Sequence, residues 1–189
     1  MEKQSERTRQ SLVHAAASLI ANGRVADAGL VNICRAAAVS RGALYHHFHS
    51  VAELVGEVHA QARVRVEAVA GEAFEGRAAE APEKFSTDLG VLLREDQLVR
   101  AGIQVGPDGT NGPGRLREEA LTWLRERIVA SAPEGGDMHC LADLAVVVAA
   151  GLESLGHTDD YWWDPKTAEQ IWGLLKPLFA VAGWARDQD

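Results

Sequence analysis

The chain has 189 residues, 47% of them hydrophobic and 24% charged, a composition in the range of globular proteins and sufficient for one large domain or a small one joined to a medium one. No run of eighteen or more apolar residues occurs, and Met1–Glu6 puts no apolar core behind a basic start, so neither a membrane span nor a signal peptide is expected. The formal charge of -8 is unevenly spread: residues 1–50 carry six Lys/Arg against three acids, a net of +3, and the remaining 139 carry 13 against 24, a net of -11. A small cationic module on an acidic body is the pattern of an anion-binding end. Cys34 and Cys140 lie far apart without ligand spacing, which suits two ordinary thiols in a reducing cytoplasm.

Helical spacing predominates and no strand pattern stands out. Leu12, Val13, Ala16, Leu19 and Ile20 define a helix over 5–21, with Arg7 and Arg9 at its exposed start and Asn22-Gly23 as its stop. A short helix follows at 30–37. Val39-Ser40 breaks it, and Ser40 is placed to cap a third helix at 41–47. Ser50-Val51-Ala52-Glu53 reads as a capping box opening a long helix at 51–74, with Leu54, Val58, Ala62, Val66 and Val69 along one side. Residues 76–82 form a joint, with Pro82 at a first-turn position. Helices at 83–94 and 96–105 precede the segment 106–114, whose four Gly and two Pro exclude regular structure. A helix at 115–131 ends at Pro133 and Gly135-Gly136. The last third holds helices at 137–155, with Leu141, Leu144, Ala145, Val148, Leu152 and Leu155 on one face, and at 165–184, where Pro177 should introduce a kink. Tyr161-Trp162-Trp163 is an aromatic cluster between them that suits closing a pocket, packing at an interface or capping the core.

The chemistry is concentrated in Ile33–Phe48. Two short helices crossing at a turn need small residues at the contact, supplied by Ala36, Ala37 and Ala43, and apolar plugs in the angle, supplied by Val39 and Leu44. The second helix then presents Ser40, Arg41, Tyr45 and His46 near its N-terminal half, where a recognition helix meets base edges and phosphates. An arginine such as Arg41 pairs with guanine or phosphate, and Tyr45 and His46 suit phosphate hydrogen bonds that fix register.

The segment Val39-Ser40-Arg41-Gly42-Ala43-Leu44-Tyr45-His46-His47-Phe48, followed by Ser50 and Glu53-Leu54, resembles the signature of the TetR family. The resemblance covers about the first 60 residues. It implies an all-α chain of about nine helices, with a helix-turn-helix DNA-binding domain at 1–50 and a helical ligand-binding and dimerisation domain at 51–189. The DNA-binding residues it implies are Arg7, Arg9, Ser40, Arg41, Gly42, Leu44, Tyr45 and His46. The chain departs from the pattern at Ala38, where many relatives have glycine, at Ala28-Gly29, where many have a Ser or Thr cap, and at Val51, where a lysine is common. Losing one phosphate contact at Val51 should lower the salt dependence of DNA binding by about one unit.

Leu98-Val99-Arg100-Ala101-Gly102-Ile103-Gln104-Val105 is similar to a segment of the γ-butyrolactone receptors, a TetR branch sensing small lactone or furan signals, and Trp123 falls where those receptors carry a pocket tryptophan. This resemblance implies a small hydrophobic effector with Trp123 at its pocket; a pocket in a helical bundle also needs a few polar groups, for which Gln104, Arg100 and Thr122 are the candidates. The two apolar C-terminal helices suit a homodimer paired through Leu141, Leu144, Val148 and Leu152 of one helix and Ile171, Leu175 and Leu178 of the next, set over a palindromic operator in double-stranded DNA. The expected protein is a cytoplasmic repressor without a cofactor, a membrane partner or enzymatic activity. Neither His157 with Asp159 and Asp160 nor His46 with His47 and His49 has the spacing of a dedicated metal site. A regulator with a filled core, binding DNA and a protein partner without a small ligand, is the alternative.

Overall fold

The computed structural model describes residues 2–22, 29–105, 115–132 and 138–181. Gly23, Ala28, the 106–114 segment, Pro133, Gly135-Gly136 and Ala182 lie outside them, so the loop and stop signals read there have no structural counterpart to compare. Among the described residues every regular element is helical: α1 (Glu2–Ala21), α2 (Leu30–Ala36), α3 (Arg41–His47), α4 (Val51–Ala73), α5 (Ala81–Glu95), α6 (Gln97–Gln104), α7 (Arg115–Ala130), α8 (His139–Gly156) and α9 (Pro165–Val181), with 3-10 turns at 78–80 and 160–163. The chain is all-α, as its periodicity predicts. The contacts divide it into two units, residues 1–65 with 96–117, and residues 66–95 with 118–189. The long helix α4 therefore contributes to both.

In the first unit, α1, α2, α3, the front of α4 and α6 enclose Leu12, Val13, Ala16, Ile20, Ile33, Leu44, Phe48, Leu54 and Val58, all at 5% exposure or less. The segment Leu98–Val105 is part of this core: Leu98, Val99, Ala101, Gly102, Ile103 and Val105 are buried. Gly102 is required by close packing, because a Cβ there would overlap Ala62 of α4. Asp96 starts α6 by accepting from Leu98 N at 2.9 Å, and its other oxygen pairs with Arg65.

In the second unit, α5 runs antiparallel to α9, tied at one end by Glu83–Lys176 at 2.7 Å and at the other by Arg94–Asp164 at 3.4 Å. Helix α8 is rotated from its predicted face, of which only Ala145 and Leu152 are buried. Its buried residues are Ala142, Ala145, Ala149, Leu152, Glu153 and Gly156, while Leu141, Leu144 and Val148 are only half-buried and Val147 and Leu155 are exposed. The small residues point inward because the neighbours come close: a Cβ on Gly156 would overlap the Trp163 indole, and one on Gly90 of α5 would lie 3.2 Å from the Trp163 carbonyl. Helix α8 has an 18-residue window of mean hydropathy 1.4, of which 33% is buried, so by length and composition it passes for a membrane span. Its apolar surplus faces outward.

Ala38 has φ 54°, the left-handed region in which a Cβ costs about 1–2 kcal/mol. It closes α2, donating to Arg35 O at 3.2 Å, while Val39 N reaches Cys34 O at 3.0 Å. Glycine would remove the Cβ penalty, partly offset by the larger entropy of the unfolded glycine. Ala38→Gly is expected to raise stability by up to about 1 kcal/mol, read as a shift of the urea midpoint at unchanged slope.

Candidate nucleic-acid interface

Helix α3 has seven residues, too few to hold its shape alone. Its beginning is fixed locally, by Ser40 Oγ accepting from Ala43 N at 3.1 Å, and its end by the Phe48 N–H donating to Leu44 O at 2.9 Å. Leu44 and Phe48 anchor it in the core. Leu44 has no exposed surface, so its place among the DNA-contacting residues is corrected: it holds α3 from behind and reaches nothing outside the chain. Ser40, Arg41, Gly42, Tyr45 and His46 all stand on the exposed side, with Tyr45 55% accessible. A Cβ at position 42 would meet nothing in the chain closer than Ser40 Oγ at 3.8 Å, so internal packing does not call for glycine there. Ala36, expected at the helix crossing, is exposed, while Ala37 and Ala43 are half-buried. Helix α2 begins at Gly29 with no side-chain cap.

Arg9 requires a second correction. It sits in α1 with Nη1 donating to Glu57 Oε1 at 3.1 Å and Nη2 at 2.7 Å from Oε2, and its guanidinium lies 5.1 Å from the centre of the Phe48 ring. Glu57 also accepts from Gln61 Nε2 at 2.7 Å. Arg9 is thus an internal brace between α1, the end of α3 and α4. Arg7, two residues earlier, is exposed. Glu57 had no signal in the sequence beyond being one acid among many on α4. At the start of that helix, Ser50 Oγ accepts from Glu53 N at 3.0 Å, half of the predicted capping box. The Glu53 carboxylate reaches one residue further back than such a box requires, to His49 N at 2.6 Å and His49 Nδ1 at 3.0 Å.

The predicted ligand residues are divided between the units. Arg100 and Gln104 belong to the first and are half-buried; Trp123, in the second, is half-buried as well. Thr122 is exposed on α7, which removes it as a pocket wall. Of the predicted pairing residues, Leu152 is corrected: it is 6% exposed and lines a cleft inside the second unit. Leu141, Leu144, Val148, Ile171 and Leu175 are half-buried and Leu178 is half exposed, joined by Val147 at 67% and Leu174 at 81% exposure, two positions the sequence did not single out for this face. Trp163 is buried, whereas Tyr161 of the same cluster is exposed. Among the described residues no three His, Cys, Asp or Glu side chains gather as metal ligands would.

The Arg9 hydrogen bonds hold the Glu57 carboxyl below its usual range, against a smaller opposing effect of burial. A depressed folded-state pKa contributes stability that is complete above the unfolded-state value and is lost as pH falls through the folded one. The stability lost on Glu57→Gln should therefore be present at neutral pH and shrink toward zero in acid below the ordinary carboxylate range. Urea unfolding of both proteins across pH checks this.

Residues 12–58 match the family described as bacterial regulatory proteins, tetR family. No curated protein matches the sequence. Among solved structures the chain is similar to a γ-butyrolactone receptor (an ArpA-like protein) at 20% identity, covering 91% of this chain and 87% of that one with a TM-score of 0.70. It is similar to CprB, a TetR family protein from S. coelicolor A3(2), at 20% identity, with 92% and 88% covered and a TM-score of 0.70. It is also similar to NalD, the secondary repressor of the MexAB-OprM multidrug efflux pump in Pseudomonas aeruginosa, at 25% identity, with 94% and 96% covered and a TM-score of 0.64.

Proposed function

We propose that this chain, whose residues 12–58 match the tetR family of bacterial regulatory proteins, is a cytoplasmic homodimeric repressor that reads a palindromic operator with α3 and is released by a small hydrophobic effector. The observation that carries this reading is α3 itself: one side anchored by Leu44 and Phe48, the other presenting Ser40, Arg41, Gly42, Tyr45 and His46 to the outside. Gly42, which the fold does not require, suits a helix whose backbone comes against a phosphate or base edge. Arg7 at the exposed start of α1 adds a phosphate contact. In functional terms residues 1–50 bind DNA and residues 51–189 sense and dimerise, with α4 shared between the two contact units as the link.

Dimerisation is assigned to α8 and α9, whose outward sides carry Leu144, Val147, Val148 and Leu155, and Ile171, Leu174, Leu175 and Leu178. Isologous pairing of such faces would set two recognition helices about one turn of DNA apart, roughly 34–36 Å. The effector is proposed to bind near Trp123, Gln104 and Arg100, and the γ-butyrolactone receptors among the similar folds support a lactone or furan-type signal. Release needs tighter effector binding to the DNA-free state, typically by about 1–3 kcal/mol. The rival reading, a filled core and a protein partner in place of an effector, is favoured by the close packing of α5, α8 and Trp163 around Gly90 and Gly156.

Two sets of variants test the reading. Arg41→Ala should weaken operator binding by about 1–3 kcal/mol and relax base preference. Gly42→Ala should leave stability unchanged or raised by up to about 1 kcal/mol while weakening DNA binding, a split that a purely structural role would not give. Both are read by fluorescence anisotropy on a duplex from the gene's own upstream region, beside urea unfolding. Leu174→Asp should weaken self-association at least tenfold in sedimentation equilibrium while leaving the helical content of the monomer unchanged. A wild-type chain that stays monomeric at micromolar concentration would overturn the dimer scheme.

A further inference from the structure

His49 lies between the end of α3 and the start of α4, directly after the anchored Phe48. Its side chain is 96% exposed. The sequence did not single it out as a DNA-binding residue. We infer that His49 is a further phosphate contact of the DNA interface, and that through its ring the binding of DNA takes up a proton. The inference rests on the DNA-reading role proposed for α3.

The argument turns on which atoms the ring already faces. Glu53 Oε2 accepts from His49 N at 2.6 Å and lies 3.0 Å from His49 Nδ1. These contacts, the backbone one foremost, hold the Glu53 carboxyl below its usual range, so it is ionised at neutral pH. An ionised carboxylate only accepts, so Nδ1 carries the hydrogen. In the neutral ring Nε2 is then a bare lone pair. A DNA phosphate oxygen is also only an acceptor, and that neutral form has nothing to give it. With an acceptor on each side, both ring nitrogens must donate, and the species that does so is the imidazolium. A reading helix in the major groove is flanked by phosphate backbones, and residues at its ends meet them. His49 stands just past such an end, beyond the exposed row Ser40, Arg41, Gly42, Tyr45 and His46. Protonation there acts twice: it supplies the donor, and it offsets the charge of Glu53, which repels DNA. Glu53 faces the ring from α4, and Arg9 of α1 acts on Glu53 at longer range. On α3, the His46 ring meets that of His47 edge to face, with 5.2 Å between centres. No carboxylate fixes the His46 hydrogen there, so its neutral form can donate to a phosphate and no proton is called for.

The test is fluorescence anisotropy of the full chain on a duplex from the gene's own upstream region, at pH 6 and pH 8 over a range of salt. Affinity is expected to fall roughly threefold to tenfold from pH 6 to pH 8, because the cation becomes scarcer as pH rises. The salt slope should be steeper at pH 6 by about one unit, the mark of one more phosphate contact. His49→Gln keeps a donor without a titrating group and should remove both differences. His49→Lys, a cation at either pH, should bind at pH 8 as tightly as at pH 6, a gain that a merely structural role would not give. Equal affinity and slope at the two pH values in the wild type would overturn the inference while leaving the regulatory reading intact. So would a His49→Gln chain that keeps the wild-type pH dependence, or a His49→Lys chain that still weakens at pH 8. A wild-type chain that binds the duplex at neither pH would overturn both.

Discussion

The contact between Arg9, Glu57 and Phe48 is what holds the seven-residue helix α3 in one orientation. Helix α3 has one buried residue, Leu44, and a C-terminal residue, Phe48, whose ring is packed under the Arg9 guanidinium. The carboxylate of Glu57 holds that guanidinium through one hydrogen bond, from Nη1 to Oε1, and an ion-pair contact between Nη2 and Oε2, which together fix direction as well as distance. Three elements far apart in sequence are thereby set in one orientation: α1, the end of α3 and α4. The exposed row from Ser40 to His46 inherits its direction from this anchor. The ion pair is partly exposed, so its contribution to stability is modest, and its value lies in orientation.

In the second unit the governing constraint is the placement of Trp163. Its indole lies over Gly156 and its backbone over Gly90, so α5 and α8 approach with small residues between them. Once the alanines and glycines of α8 face inward, its larger apolar residues have only the outside left. In α9, Thr167, Ala168, Trp172 and Phe179 are buried, while Leu174 and Leu178 are exposed. Tight internal packing and an outward apolar surface are two results of one helix orientation. The chain passes between the two contact units at 65/66, 95/96 and 117/118.

Features that depend on a few neighbouring residues were legible in the sequence. The Ser40 and Ser50 caps and the limits of α3 and α6 within one or two residues follow from local chemistry. Features that depend on a distant partner were not. Arg9 reads as a free cation until Glu57, 48 residues later, is brought against it. The inward face of α8 is ambiguous because the helix is apolar on nearly all sides, so periodicity gives no direction; Trp163 settles it, and its position depends on the path of the chain after Gly156. Thr122 adjoins Trp123, but neighbours on a helix point about 100° apart, and Thr122 faces outward.

The most direct test of the central claim, that paired copies of α3 read DNA, is hydroxyl-radical footprinting on the DNA upstream of the gene. The account predicts two protected patches related by a dyad and centred about 10–10.5 base pairs apart, or a multiple of that spacing. A single protected patch, or uniform protection without a dyad, would contradict it.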